Sequence, residues 1–489
     1  MTSQNARRGH QRWRGVPQGS DAAAVDLRRG LALPDCVMLV VGSMVGSGIF
    51  LTTGQIAGTL PVPWLILLAW VIGGGIALAG ALTYAELGAS LPRAGGHYVY
   101  LREAYGPLVG FLDGWFSFVA SFPGSIAFMA LGLVTYLPGD LSGHPVFQTQ
   151  IFGLGWTVKS AQLLAMAAIL LLSLINALGL RVGKGTQNLL SGLNILTLVA
   201  LGGLGLLSRG GLWSHFFAQG LPAAGPPGIK AMGLALMGVS FAYLGWDAST
   251  YMAAEVRSPE RNIPKSLALG TVLVMGLYIL FNAALLCVIP VAQMAGSQNV
   301  SGEMVGHLFG PGLAWLMNVA ILVCILSSLN ATVMEGPRIY YAMAKDGLFP
   351  GALGVVSRAT GVPVRAIAAQ AAWASIIVLS ATLGRILAFT VLVIWLLSAI
   401  TGAAVFVLRV RDPQAARPYR TSGYPWVPGL FCLSSLALAA NHLAHTASDL
   451  LWLAGFLLAG LPVYAFFLRI SRQRSSRDSE SSSIGRRDH

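Results

Sequence analysis

The chain has 489 residues, 55% of them hydrophobic and only 10% charged. That balance excludes an ordinary water-soluble domain, because no soluble core needs so much apolar material. The formal charge of +13 would fit a nucleic-acid partner, but the basic residues lie between long apolar runs, so the solvent for most of this chain is lipid.

Apolar runs of about 20 residues start near positions 34, 62, 107, 160, 187, 230, 266, 312, 365, 386, 427 and 449, and a helix of that length crosses roughly 30 Å of hydrocarbon. They lack the short alternating pattern of a β-barrel. The expected fold class is an all-α integral membrane protein with twelve transmembrane helices. Residues 1–30 are expected to be a cytoplasmic tail with no cleaved signal ahead of the first run, 31–470 the transmembrane domain, and 471–489 a disordered cytoplasmic tail too polar to bury anything. Placing both termini in the cytoplasm puts 27 of the 31 Lys and Arg inside and leaves Lys159, Arg209, Lys230 and Arg385 outside. This is the positive-inside bias. Basicity therefore reports topology and contact with anionic lipid rather than nucleic acid.

The first run contains Gly42, Gly46, Ser47 and Gly48 in VGSMVGSGIF, and the sixth contains Gly238 and Gly245 in MGVSFAYLGWD. A small-residue packing face would account for Gly42 and Gly46. Helix breakers clustered at the middle of a run point instead to a discontinuous helix. The sixth run opens a second set of five, so the pattern predicts a five-plus-five inverted repeat with discontinuous helices 1 and 6. The first repeat covers about 34–210, the second about 228–410, and helices 11 and 12 about 427–470. GKGT at 183–186 fails the spacing of a phosphate loop.

A break at mid-bilayer exposes backbone groups that need partners. If the first helix runs outward, its outer half aims the N–H groups of Ser47, Gly48 and Ile49 at the cavity, where a carboxylate is favoured. The inner half ends near Met44 and Val45, and the first half of the sixth helix ends near Phe241 and Ala242. Both present carbonyls that attract an ammonium. Amides on one side and carbonyls on the other match the zwitterionic head of an α-amino acid.

Five stretches carry a resemblance: VGSGIF at 45–50, AGGHYVYLREAYG at 94–106, FAYLGWDASTYMAAEVRSPERNIPKSL at 241–267, GPRIYYAMAKDGLFP at 336–350 and RPYRTSGYPWVP at 417–428. In this order they resemble the L-amino acid transporter branch of the amino acid, polyamine and organocation superfamily, particularly its bacterial permeases. The resemblance implies the LeuT-like fold and alternating access. It implies sodium-independent exchange or facilitated transport of neutral L-amino acids across the inner membrane, with no cofactor. Residue by residue, it implies that Ser47 and Gly48 hold the carboxylate, that the Met44 and Phe241 carbonyls take the ammonium, and that the Phe241 ring closes over the substrate. Trp395 matches a tenth-helix aromatic near the side-chain pocket, although a helix-packing aromatic would look the same. Leu244 stands where relatives often carry a small or polar residue. It should narrow the pocket towards Ala, Ser, Thr or Gly.

Asn194 departs from the family. It occupies the place of a lysine that bridges the first helix to an eighth-helix hydroxyl, here Ser328. Two outcomes compete there: a neutral amide bridge, or an all-oxygen shell for a cation. Asp247, just past the sixth break, is either an N-terminal cap or a proton-coupling group. Glu86, Asp113 and Glu335 are expected to form structural ion pairs with Arg93, Arg102 or Arg338. A proton-coupled symporter is one alternative. A basic amino acid or polyamine antiporter is another, and it would need acids around the pocket, where only Asp247 is near. Cys36, Cys287, Cys324 and Cys432 stand singly and show neither a disulfide framework nor a metal-ligand spacing. The loop at 137–158 has no cysteine, so no disulfide-linked accessory subunit is expected there. His442 and His445 form a weak candidate metal pair. No nucleophile and base lie at one depth as an embedded enzyme would need.

Overall fold

A computed structural model describes residues 26–484 except for 138–143, 152–153, 209–214, 216–227, 296, 298, 314, 381–382 and 447. Most of the expected N-terminal tail lies outside the described residues.

The first apolar segment is two helices, Leu33–Met44 and Gly48–Thr59, bent by 43° at their junction. The second and third are Pro63–Ser90 and Pro107–Thr135, the latter interrupted by one π-turn at Ser117–Ser121. The fourth and fifth are Ser160–Ala177 and Leu180–Leu207. The sixth is Ile229–Ala242 followed by the short helix Ala248–Tyr251. Then come Pro259–Val288, Trp315–Lys345, Val364–Leu379, Leu383–Arg411, Trp426–His445 and Asp449–Ile484. Among the described residues nine helices are long and apolar enough to cross a bilayer, and the bent pair makes a tenth. Ile229–Ala242 and Val364–Leu379 are apolar but shorter.

Two details differ from expectation. The loop after the third segment carries an antiparallel hairpin, Pro145–Ile151 with Leu154–Lys159, whose β-branched and aromatic residues suit a short strand pair. The last helix continues to Ile484, so the stretch from Ser471 that was expected to be disordered is helical over most of its length.

Burial separates the helices by role. The seventh helix packs on the second, the fifth and the inner half of the first, and contributes Tyr278 and Phe281, both fully buried. The twelfth is only 6% buried along its apolar window and packs on the bundle along one side, through residues such as Phe456 and Tyr464. Leucines exposed along the fourth and fifth helices, such as Leu171, Leu174, Leu189 and Leu196, are apolar on the lipid side.

At one end of the bundle the chain is tied to itself. The Gly30 and Leu31 N–H groups donate to the Glu255 carbonyl at 2.8 and 2.9 Å, and the Arg257 N–H donates to the Leu31 carbonyl at 2.8 Å. The Glu255 carboxylate takes two bonds from Arg338, at 2.8 and 3.0 Å, and both side chains are at most 2% exposed. Removing one partner of such a pair strands a buried charge and costs about 3–5 kcal/mol.

Candidate functional site

At the first break Val45 leaves helical geometry, and the Gly46 N–H turns back to the Met44 carbonyl at 3.1 Å. The next helix starts when the Phe50 and Leu51 N–H groups reach the Ser47 carbonyl at 3.1 and 3.3 Å. The N–H groups of Ser47, Gly48 and Ile49 come before that first bond, as the donors of any helix start must. Gly48 also sets how closely the two breaks approach, since a Cβ there would lie 3.1 Å from Ala242 Cα.

The sixth helix ends at Ala242, and residues 243–247 turn before Ala248. Gly245 makes this possible with φ +101°, and a side chain there would meet Ser43 Oγ at 2.6 Å. Glycine is required twice over, by its backbone and by its neighbour. Tyr278 joins the two breaks, its hydroxyl lying 2.8 Å from the Met44 carbonyl and 3.0 Å from the Ala242 carbonyl.

Tyr278 adds a donor at the expected ammonium site. The Met44 carbonyl accepts from the Gly46 N–H, and with the Ala242 carbonyl it lies within reach of the one Tyr278 hydrogen. The Phe241 carbonyl accepts from the Leu244 N–H at 3.2 Å and from the Tyr243 N–H. The partner of Met44 sits in another helix, out of reach of local sequence patterns.

A cavity of about 220 Å³ opens between the breaks and the third, eighth and tenth helices. Met44, Ser47, Gly48, Phe241, Ala242, Leu244, Asp247, Ser328 and Trp395 line it. Val45 and Ile49 are fully buried behind that lining. Leu244 packs in one apolar cluster with Trp395, Met237 and Val391, so these two expected side-chain contacts do share a wall. The Phe241 ring is 40% exposed. The π-turn puts Ser117 and Ser121 on the lining, which no sequence signal announced.

Asn194 is fully buried behind the first break, and its Nδ2 donates to the Val45 carbonyl at 3.3 Å while its Oδ1 has no partner. Ser328 Oγ lies 3.0, 3.4 and 3.2 Å from the carbonyls of Gly42, Ser43 and Val45. Amide and hydroxyl thus both point hydrogens at the end of the first half-helix.

The acids do not pair as expected. Glu86 is met by Arg409 at 2.6 Å, by Arg417 at 3.5 Å and by Thr421. Arg338 belongs to Glu255, Arg102 to Asp346 and Arg93 to Glu103. Asp113 and Glu335 line the cavity instead, at 2% and 4% exposure, and Asp113 Oδ2 and Glu335 Oε1 have no hydrogen-bond partner. Asp247 stands at the N-cap position, yet its carboxylate caps nothing. It accepts from His97 Nε2 at 2.7 Å and from the Tyr251 hydroxyl at 3.0 Å. Burial works against a charge on His97, but the Asp247 hydrogen bond and charge, with Asp113 behind them, outweigh it and hold the imidazole above its usual range. Three acids, not one, therefore face the pocket, contrary to the sequence reading.

Among the described residues no three His, Cys, Asp or Glu side chains gather as a metal site. His442 is engaged by Asp449 at 2.8 Å, tying the last two helices together.

Residues 31–467 match the amino acid permease family. The chain is 32% identical to the serine/threonine exchanger SteT of Bacillus subtilis, over 90% of this chain and 96% of that protein. It is 28% identical to the human b(0,+)-type amino acid transporter 1, over 92% of this chain and 90% of the other. It is 26% identical to the human Asc-type amino acid transporter 1, over 83% and 76%.

Proposed function

This chain belongs to the amino acid permease family, whose members are membrane transporters rather than enzymes, and from that premise we propose that it carries small neutral L-amino acids by alternating access, without sodium. The observation that carries this reading is the pair of facing breaks. One offers the N–H groups of Ser47, Gly48 and Ile49 to a carboxylate, and the other offers the Phe241 and Ala242 carbonyls to an ammonium. The choice of small side chains rests on the wall made by Leu244 and Trp395, and the serine and threonine named for SteT are of that size. The neutral Asn194 bridge places a hydrogen-bond donor on the Val45 carbonyl, which supports a reading without sodium.

The transporter is integral to the membrane. We place it in a bacterial inner membrane with both termini in the cytoplasm, since the opposite orientation would send 27 of 31 Lys and Arg outward. The two halves that start at the first and sixth segments form the inverted repeat.

Counterflow of a labelled amino acid panel into proteoliposomes tests the reading. Exchange should be strongest with Ser, Thr, Ala and Gly and should persist when choline replaces sodium. Preference for Phe or Leu, or loss of uptake in choline, overturns it. A terminal tag that an impermeant reagent reaches in intact cells overturns the orientation.

A further inference from the structure

The cavity has a second chemistry that the amino acid head group leaves unused. Asp113 on the third helix and Glu335 on the eighth both line it, both are more than nine-tenths buried, and each has an oxygen without a partner. Every titratable or charged neighbour can be named. Asp113 is faced by His97 and Asp247. Glu335 is faced by Asp247 and the Ser43 hydroxyl, and Tyr251 lies near all three acids. Tyr84 adds a phenol close to Asp247 and Asp113. No Lys or Arg lines the cavity among the described residues. The nearest guanidinium groups are committed elsewhere, Arg338 to Glu255, Arg409 and Arg417 to Glu86, and Arg102 to Asp346.

One imidazolium cannot neutralise three carboxylates, and an unpaired buried carboxylate is too costly to stay ionised without a cation or a proton. A metal does not fit, because no three ligating side chains converge among the described residues and a hard cation asks for six or more oxygens. A cationic substrate side chain does not fit either. The wall that receives the side chain is the Leu244 and Trp395 cluster, which is apolar throughout.

We propose that Asp113 and Glu335 form a proton-carrying site in the substrate cavity, so that a proton enters with the amino acid and leaves with it. A carboxylate oxygen gains an O–H bond from water on the side where loading occurs and loses it to water on the other side, with no other bond changed. Asp247, at the end of the sixth break, is hydrogen-bonded to His97 and stands next to both acids. Asp247 and Tyr251 share the short helix after the break, so movement of that helix changes the field at both acids. The proposal rests on the reading of the cavity as an amino acid site.

The test uses the full chain in proteoliposomes with labelled L-serine and a trapped pH dye. With the membrane potential clamped, an inside-alkaline gradient of one pH unit should raise serine accumulation about tenfold at one proton per substrate, and serine should acidify the lumen. Asp113→Asn with Glu335→Gln removes both titrating groups, so the ratio of gradient-driven accumulation to gradient-free counterflow should fall about tenfold and the serine-dependent dye signal should disappear. Serine counterflow in the wild type with neither accumulation nor acidification overturns the proton site and leaves the transport reading standing. Counterflow of no amino acid at all overturns the transport reading itself. Lysine or arginine transported in place of serine, and lost in the double variant, overturns the proposal in favour of a substrate cation. Should the double variant fail to fold, the dye signal in the wild type decides alone.

Discussion

On the reading proposed above, one part of the lining offers a substrate the backbone N–H and carbonyl groups of Ser47, Gly48, Phe241 and Ala242, and another offers the side chains of Asp113, Asp247 and Glu335 with His97. Backbone groups do not titrate and cannot be exchanged by mutation. In the proposed site they would recognise what every α-amino acid has in common, so selectivity would come from the Leu244 and Trp395 wall. The acidic part responds to pH and to every neighbouring charge.

Gly48→Leu should break the first part most completely. The side chain would fill the space against Ala242, 3.1 Å from where its Cβ begins. Losing two charge-assisted hydrogen bonds at about 1.5–3 kcal/mol each lowers affinity a hundredfold or more. Counterflow half-saturation is the measurement, and near-normal affinity in folded protein would remove the half-helix from the site.

Leu244→Gly acts on the wall and should leave the backbone part intact. Transport of Leu, Met or Phe should gain about tenfold relative to Ser, as a pocket enlarged by a few methylenes allows. An unchanged panel shows that the wall lies elsewhere.

In the acidic part Asp247→Asn should change pH dependence more than affinity. The shifted imidazole of His97 means that the pair's contribution to stability is complete below the usual His value of about 6.5 and is lost as pH rises through the higher folded value. Without Asp247, burial dominates and the sign reverses, so stability should be lost as pH falls below the usual His value rather than as it rises. Melting temperature across a pH series reads this directly. A curve that keeps its shape contradicts the pairing.

Asn194→Lys should have the smallest effect. An ammonium would strengthen the bond to the Val45 carbonyl, now made at 3.3 Å by a neutral amide. The ratio of inside to outside apparent affinity should shift severalfold, consistent with about 1 kcal/mol for a neutral bond. Equal affinities before and after would show that this bridge does not bear on the inner gate.

Both breaks were legible because their cause is local. Clustered glycines interrupt an apolar run, and Gly245 and Gly48 stand where the breaks fall. Leu244 and Trp395 could be placed through a family resemblance. Ion-pair partners could not, because their choice depends on contacts far along the chain. Glu86 meets Arg409 across 323 residues and Arg338 meets Glu255 across 83, whereas the nearer arginines proposed for them were already taken. Asp113 and Glu335 looked structural for the same reason. Tyr278 was hidden too, since nothing in an ordinary apolar helix distinguishes a tyrosine that packs from one that bridges.

That tyrosine has one hydrogen to give and two carbonyls in reach, Met44 at 2.8 Å and Ala242 at 3.0 Å. Either half-helix can draw away and the hydroxyl still has an acceptor in the other, which avoids the roughly 1–3 kcal/mol penalty of a stranded buried donor. The contact behaves less like a latch than like a bearing. It keeps the two breaks in register while making it inexpensive for one to slide past the other, and a phenylalanine in its place would leave both surfaces dry.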